Sequence, residues 1–363
     1  MYTSTTPDPI GLGDALAYAG LDERVRMELF ELLRRAEADA PEPDRFRDHV
    51  RWPLVAAALR DVGQHRITLA DGLIFDIGTD SRIEKALLLS DRAHPDHVWE
   101  PQTTKLLTRL ASRSEHAVVG GAYIGDHVLP MARRLRTTGR VHAFEPMEHP
   151  YRRLLHNIAI NDIRNVVANR MGLWDEGDVS LEITGALALA TSAPYLDGNG
   201  PAAGADVVPS VTISEYLAGQ HVSRLDLIML DTEGGEERAL RGALGFLSQP
   251  PGQAPNIVFE VHRDYVDWTS GLAGTSLVSL LREHGYLVFA VRDIHGNRAM
   301  DGQPIEVVPV DDCYTDGPPH GFNMLAMKQS ALISELDLCV VPGVSPKLIV
   351  DKDPALHHPT GGF

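Results

Sequence analysis

The stretch from Ala117 to Pro146, AVVGGAYIGDHVLPMARRLRTTGRVHAFEP, constrains the fold more than any other part of this chain. Ala117–Val119 is a short apolar run bounded by glycines and predicts a buried strand. Gly120, Gly121 and Gly125 follow where a strand gives way to a helix, a place where glycine lets the backbone turn tightly and approach a ligand. Val128, Met131, Ala132 and Leu135 recur at three- and four-residue spacing, so 127–135 reads as helix, ended by Gly139. Val141 to Phe144 forms a second strand with Glu145 at its carboxyl end, and Pro146 biases Glu145 toward an extended conformation. Twenty positions separate Gly125 from Glu145. At about that distance the acid of a nucleotide-binding β-α-β unit holds ribose hydroxyls.

The glycine spacing is G-G-x-x-x-G, not the G-x-G-x-x-G of dinucleotide binders, which argues against a nicotinamide-dependent oxidoreductase. No phosphate-binding lysine follows, which excludes a P-loop. A glycine turn and an acidic strand end without a pyrophosphate cradle suit a nucleoside ligand, of which S-adenosylmethionine (SAM) is the commonest. The cofactor-binding candidates are therefore Gly120, Gly121, Ala122, Tyr123, Gly125, Asp126, Glu145 and Pro146. The bland alternative is a tightly packed β-α-β unit with no ligand.

Periodicity organises the rest. Residues 12–38 carry Leu16, Leu21, Val25, Leu29, Leu32 and Leu33 among charges and read as helix, broken by PEPDR at 41–45. Arg51–Val62 is a second helix. Residues 67–77 read as a hairpin turning at Asp71-Gly72. A polar cluster, Asp91, His94, His97 and Glu100, precedes the helix that leads to the central strand. After Glu145 come a helix over 151–160, a strand over 166–168 and then Trp174 and Asp175. Trp174 sits where an adenine would be received and either stacks on it or fills the core. The Gly/Ala/Pro-rich insert 185–206 lies between two further strands and is a candidate substrate loop. Thr212-Ile213-Ser214-Glu215 is a capping box.

Residues 225–230 form the fourth strand, ending in Asp231, with Glu233 and Glu236 close behind. Carboxylates at a helix start are stabilised by its dipole, which accounts for Glu236. Asp231 sits where open α/β sheets bind ligands. The fifth strand, 256–261, ends Glu260-Val261-His262, and alternation puts Glu260 and His262 on one side. Two more strands, over 286–291 and 322–327, flank a long excursion, and the sequence from Lys347 onward reads as poorly ordered. These elements predict an α/β fold, a doubly wound, mainly parallel seven-stranded sheet with an N-terminal helical extension. The expected divisions are 1–66 for the extension, 67–112 for a hairpin and helical lead-in, 113–330 for the ligand-binding domain and 331–363 for a tail.

A formal charge of −17 argues against a general nucleic-acid binder, which needs a basic footprint. No run of 18 apolar residues exists, so no membrane partner is expected. Cys313 and Cys339 lack metal-ligand spacing and, with no secretory signal at the N-terminus, point to the cytoplasm.

Several motifs in order then resemble the FkbM family of SAM-dependent methyltransferases, from about Leu69 to Lys328. They are Val118–Gly125, Ala143-Phe144-Glu145-Pro146, Asn157 with Asn161, Leu230-Asp231-Thr232-Glu233-Gly234, Leu240-Arg241-Gly242-Ala243 and Ile257–His262. The resemblance implies the Rossmann-like class I methyltransferase fold, SAM as cofactor, and methyl transfer, most often to a hydroxyl of a sugar or natural product. Gly121 and Gly125 match the family's glycine turn and Glu145 its ribose-binding acid. This chain has Val119 where the family usually has an acid, Tyr123 in place of Asn, and Met229 in place of Lys. Asp126 is the nearest substitute for the missing acid.

Methyl transfer to a hydroxyl needs an aligned nucleophile and a group to take its proton. His262, Asp231 and Glu260 are the catalytic candidates, with His262 as base because its ordinary pKa of about 6.5 suits neutral pH. No metal is predicted, although Asp231, Glu260 and His262 have the ligand types to accept a divalent ion. The expected partner is a small hydroxylated substrate, with a homo-oligomer open. A non-catalytic SAM-binding protein and a small-molecule N-methyltransferase are the alternatives.

Overall fold

The computed structural model describes residues 11–89, 99–185, 191–195, 205–295, 300, 302–317, 320–349 and 352–362, apart from the side chains of residues 44 and 191. Asp91, His94, His97 and most of the 185–206 insert lie outside the described residues. The chain divides into two compact units: Met1–Thr68 with Phe75–Leu89, and Leu69–Ile74 with Ser90–Phe363. The division thus runs through the predicted hairpin, and the 67–112 lead-in is shared between units.

The first unit is mostly helical, with helices at Leu12–Gly20, Glu23–Ala38, Trp52–Leu59 and Arg82–Leu89. The long periodic run breaks at Asp22, whose carboxylate accepts the backbone N–H groups of Arg24 and Val25 and so caps the second helix. Gly20 permits the first helix to meet the Trp52–Leu59 helix, since a Cβ there would lie 1.8 Å from the Ala58 carbonyl oxygen. Among the described residues no helix is long and apolar enough to cross a membrane.

The second unit is built on a nine-stranded sheet. Its strands are β1 (His116–Gly120), β2 (Arg140–Phe144), β3 (Val166–Asn169), β4 (Leu227–Leu230), β5 (Asn256–His262), β6 (Leu287–Val291), β7 (Ile305–Pro309), β8 (Gly321–Met327) and β9 (Leu338–Val340). They lie in the order β9-β7-β6-β8-β5-β4-β1-β2-β3. The strands from β3 to β5 are parallel, and β8 runs antiparallel to both β5 and β6. The labelled helices of this unit are α1 (Pro101–Ala111), α2 (Val128–Ala132), α3 (Glu148–Ile160), α4 (Ile213–Gly219), α5 (Glu236–Arg241) and α6 (Ser276–Glu283). The α1 face that carries Leu106, Leu107 and Leu110 and the α6 face that carries Leu277, Val278 and Leu281 are buried, as their spacing requires. Thr212 and Glu215 form the reciprocal capping box that opens α4. The doubly wound α/β class is as expected.

Two strands exceed the predicted seven. Within β7, Glu306 interrupts an apolar run and masks the strand; it is 2% exposed and paired with the equally buried Arg292. β9 has three residues, too few to show alternation. It belongs to the 331–363 segment expected to be a tail, which instead adds a strand and two helices, Ala331–Glu335 and Pro354–His357. Arg292 fixes that segment by donating to the carbonyls of Ser345, Leu356 and His358.

Strand order reverses between β1 and β4, and at such a switch point the carboxyl ends of the strands leave a crevice for ligands. Gly120 at the end of β1 pairs with Leu230 at the end of β4, and Asp231 N–H donates to the Gly120 carbonyl at 3.0 Å. Everything below is assembled around that point.

Candidate active site

The glycine turn leaves β1 through Gly121, at φ +75°, where a Cβ would fall 1.7 Å from the Asp231 carbonyl oxygen. No side chain fits, so the turn lies directly on the β4 exit. The N–H groups of Gly121 and Ala122 both donate to Phe144 at the end of β2. Tyr123 N–H then donates to Glu145 Oε2 at 2.9 Å, and Met147 N–H donates to Oε1 at the same distance. Glu145 is 6% exposed, and burial pushes its carboxyl up to about 7 although both backbone bonds favour the charge. The acid that spacing alone picked out is thus clamped between the turn and the chain leaving β2.

Asn157, fully buried on α3, supports the turn by donating to the Ile124 carbonyl at 3.0 Å. Asn161, one helical turn on, donates to the carbonyls of Asn157 and Ile74 and accepts from Ile74 N–H. Replacing Asn157 with alanine strands a buried carbonyl, so Asn157→Ala is expected to lower unfolding stability by about 1–3 kcal/mol in denaturant titration. An unchanged midpoint would show that the turn holds itself.

Acids from β4 and β5 form the opposite wall. One oxygen from each of Asp231, Glu233 and Glu260 lies within 4.8 Å of the others. Burial and then repulsion from Glu100 and Glu233 raise Asp231 well above the ordinary aspartate range. Burial and then Asp231 do the same to Glu260, and burial with Glu236 brings Glu233 to about 7. Glu236 lies close enough to add to the repulsion on Asp231 and Glu233 but is engaged by the turn. Its carboxylate accepts from the backbone and hydroxyl of Thr232 and from Gly234 N–H, which shapes the β4–α5 turn.

Beneath the acids is a buried polar network centred on Glu100, 3% exposed at the start of α1. Glu100 lies 2.7 Å from His295 Nε2 and 3.6 Å from His127 Nε2, and accepts from Asn323 Nδ2 at 2.6 Å. Burial opposes its charge, but the two histidines hold it well below the usual carboxylate range. His127 is raised to about 9 because Asp126 and Glu100 outweigh its desolvation. Lys347 enters from beyond β9, 2% exposed, with Nζ against His295; burial lowers it to about 8 despite the surrounding acids. Asp293 ties this corner to α1 by accepting the N–H groups of Gln102 and Thr103.

Of the residues singled out in the sequence, Gly120, Gly121, Ala122, Tyr123, Gly125, Asp126, Glu145 and Pro146 line or support the turn, and Asp231 and Glu260 converge beside it. His262 shares β5 with Glu260, and its ring and Glu260 Oε1 both border the Gly321 position, but its Nδ1 accepts Asp264 N–H at 3.1 Å and Glu233 takes the place expected of it in the acid group. Trp174 is 8% exposed and packs with Leu181, Ile183 and Val208, with the Arg238 guanidinium 5.7 Å from its ring centroid. Asp175 accepts from that same arginine. Neither side chain is turned toward the Asp231–Glu260 group by any contact described. Sequence reasoning missed His127, His295, Asn323 and Lys347. Only Glu100 carried a signal, as an acid directly before the proline that opens α1.

Val119 and Met229 clarify the departures noted above. They are register partners on β1 and β4, 1% and 0% exposed. An acid and a lysine at these positions would face each other as a buried pair, whereas this chain has an apolar contact there that leaves no charge alone.

A switch-point crevice with a glycine turn, a buried acid after the second strand and acids after the fourth and fifth defines a Rossmann-like nucleoside-binding transferase. Residues 120–288 match the family model of the methyltransferase FkbM domain. That match spans a little under half of the chain and supports its assignment as a SAM-dependent methyltransferase. Comparison with curated proteins gave no match. Among solved structures, an O-methyltransferase of Bacillus cereus in complex with S-adenosylhomocysteine (SAH) is 15% identical over 69% of this chain and 91% of its own, at a TM-score of 0.35. An O-methyltransferase of Streptomyces achromogenes involved in tomaymycin synthesis, in complex with SAM, is 12% identical over 69% and 91%, at 0.35. A precorrin-6y C5,15-methyltransferase of Geobacter metallireducens is 13% identical over 62% and 88%, at 0.33. The family match, not these distant likenesses, carries the assignment.

The turn fits SAM. Gly121 lets the turn lie directly on the β4 exit with no side chain between, and Glu145 keeps a buried carboxylate beside that turn. Because folding raises the Glu145 pKa, the folded state holds the extra proton between about pH 4.5 and 7. Its stabilising contribution is complete below that window and is lost as pH rises through 7, on the order of 3 kcal/mol. The melting temperature of the cofactor-free protein should therefore fall from pH 5 to pH 8, and that fall should shrink in Glu145→Gln. SAM affinity should move oppositely, rising with pH as Glu145 ionises. Calorimetry across this range checks both signs.

Proposed function

We propose that this protein transfers the methyl group of SAM to a hydroxyl of a small hydroxylated acceptor, a sugar or natural product. The single observation that carries this reading is the convergence of the half-buried Asp231 and Glu260 carboxyls beside the glycine turn, both raised above the ordinary carboxylate range by desolvation and neighbouring acids. SAM supplies a methyl group on a positively charged sulfur. A hydroxyl attacks it poorly until its proton has somewhere to go, and a carboxylate with a pKa lifted toward neutrality is a fit recipient. Burial, and then repulsion among the neighbouring acids, makes both Asp231 and Glu260 more ready to take up a proton than ordinary carboxylates.

His262 is poorly suited to that role. With Nδ1 accepting from Asp264, the neutral ring carries its proton on Nε2 and has no free basic lone pair. It orients the β5 exit instead. The predominance of acids around the crevice also suits a cationic sulfur and a neutral acceptor.

The test is SAM binding by calorimetry followed by a screen of hydroxylated sugars and aglycones, read as SAH release and acceptor mass gain. Methylated hydroxyl products support the proposal. Products methylated on nitrogen would replace it with the N-methyltransferase alternative, and SAM binding without turnover across the screen would favour a non-catalytic binder.

A further inference from the structure

The acid wall holds more negative charge than its surroundings balance. Asp126, Asp231, Glu233, Glu260, Glu100 and Asp293 are gathered around two buried cationic groups, Lys347 and His127. Glu100 is already engaged with His127, His295 and Asn323, and Asp293 with α1. Asp231, Glu233 and Glu260 face one another, with the Tyr265 hydroxyl donating to Glu233.

Their spacing is that of a coordination shell. Oxygens bound to one hard cation at roughly 2.0–2.5 Å lie at most about 5 Å apart across it. The three carboxylates keep oxygens within 4.8 Å of one another without any ion present.

A second, independent feature points to the same place. Asn323 stands directly opposite Glu260 in the antiparallel β5–β8 pair, so the two side chains share a face of the sheet. Asn323 is 2% exposed, and its Nδ2 is committed to Glu100, which fixes the orientation of the amide. Its Oδ1 is buried and has no hydrogen-bond partner. A buried amide oxygen without a donor is costly in a protein that gains nothing from it. Gly321, two residues earlier on β8, leaves room for the His262 ring and the Glu260 carboxylate, because a Cβ there would lie 2.5 Å from His262 Cδ2 and 2.8 Å from Glu260 Oε1.

We propose that Asp231, Glu233 and Glu260, joined by the amide oxygen of Asn323, bind one divalent cation, and that the acceptor hydroxyl completes its coordination. The inference rests on the methyl-transfer reading for the role of the ion, though not for its binding. An all-oxygen donor set selects magnesium, manganese or calcium over zinc or copper. The bound ion removes the repulsion among the three carboxylates and draws electron density from the acceptor oxygen. The hydroxyl proton then passes more readily to the non-ligating oxygen of a carboxylate.

The experiment is a Mn²⁺ titration of the full-length protein, followed by electron paramagnetic resonance, with and without SAH. The expected result is one saturable Mn²⁺ per chain, displaced by Mg²⁺. Glu233→Gln should weaken it about 10- to 100-fold, whereas His262→Ala should leave it unchanged. Glu233 is partly exposed, so its isosteric variant tests the site without emptying the core. No saturable Mn²⁺ site, or equal affinity in Glu233→Gln, overturns the inference. If SAH binds calorimetrically and Mn²⁺ does not, the inference fails alone; if SAH also fails to bind, the methyltransferase reading falls as well.

Discussion

Glu260→Gln is expected to lower kcat by about 10²- to 10⁴-fold while leaving SAM affinity unchanged. The substitution keeps shape and hydrogen-bonding length, removes the capacity to take a proton and relieves the repulsion with Asp231. Relief of repulsion should also stabilise the fold, so melting temperature is expected to rise as turnover collapses. That opposition separates a proton-handling residue from a structural one, whose loss lowers both together. A kcat within a few-fold of the parent would place the base elsewhere, with Asp231→Asn the next variant to make.

Met229→Lys is expected to be among the most damaging single changes in the sheet, at about 3–5 kcal/mol, because it buries an ammonium with no carboxylate opposite. Val119 is the residue it would face. The double variant Val119→Asp, Met229→Lys should recover much of the loss, because each charge then has its partner. Chemical denaturation of the two single variants and the double closes the cycle. Strict additivity would show that the two side chains do not meet.

Val119 and Met229 also show what sequence reading reaches and what it misses. Read singly, each departs from the family pattern and looks like damage to the site. Read across the β1–β4 register they are one apolar contact, and register is not visible in a linear sequence. The central β-α-β unit was legible because its signals are local: a glycine turn, an alternating strand and an acid about twenty residues on. Glu145 followed from that spacing, and the Thr212 capping box from four adjacent letters. β7 was not legible, because the cue that hid it, Glu306, is satisfied by Arg292 from the neighbouring strand. His262 was overvalued for a similar reason. Its residue type suggested a base, but a backbone N–H two residues away occupies the nitrogen that mattered. Glu233 was undervalued, since a carboxylate near a helix start has an adequate local explanation until Asp231 and Glu260 are seen beside it.

Lys347 has a consequence for how the enzyme comes into being. Glu100 and Lys347 belong to one buried network yet are separated by most of the chain. During synthesis the glycine turn, β4 and β5 emerge long before residue 347 does. Until then the acids stand without their lysine, their repulsion is unrelieved, and β7 lacks its neighbour β9. The parallel strands around the glycine turn can thus pair early, while the buried network of Glu100 and His295 is completed only when Lys347 arrives. A ribosome stalled with the chain exposed to about residue 330 should present a SAM-competent but catalytically silent protein.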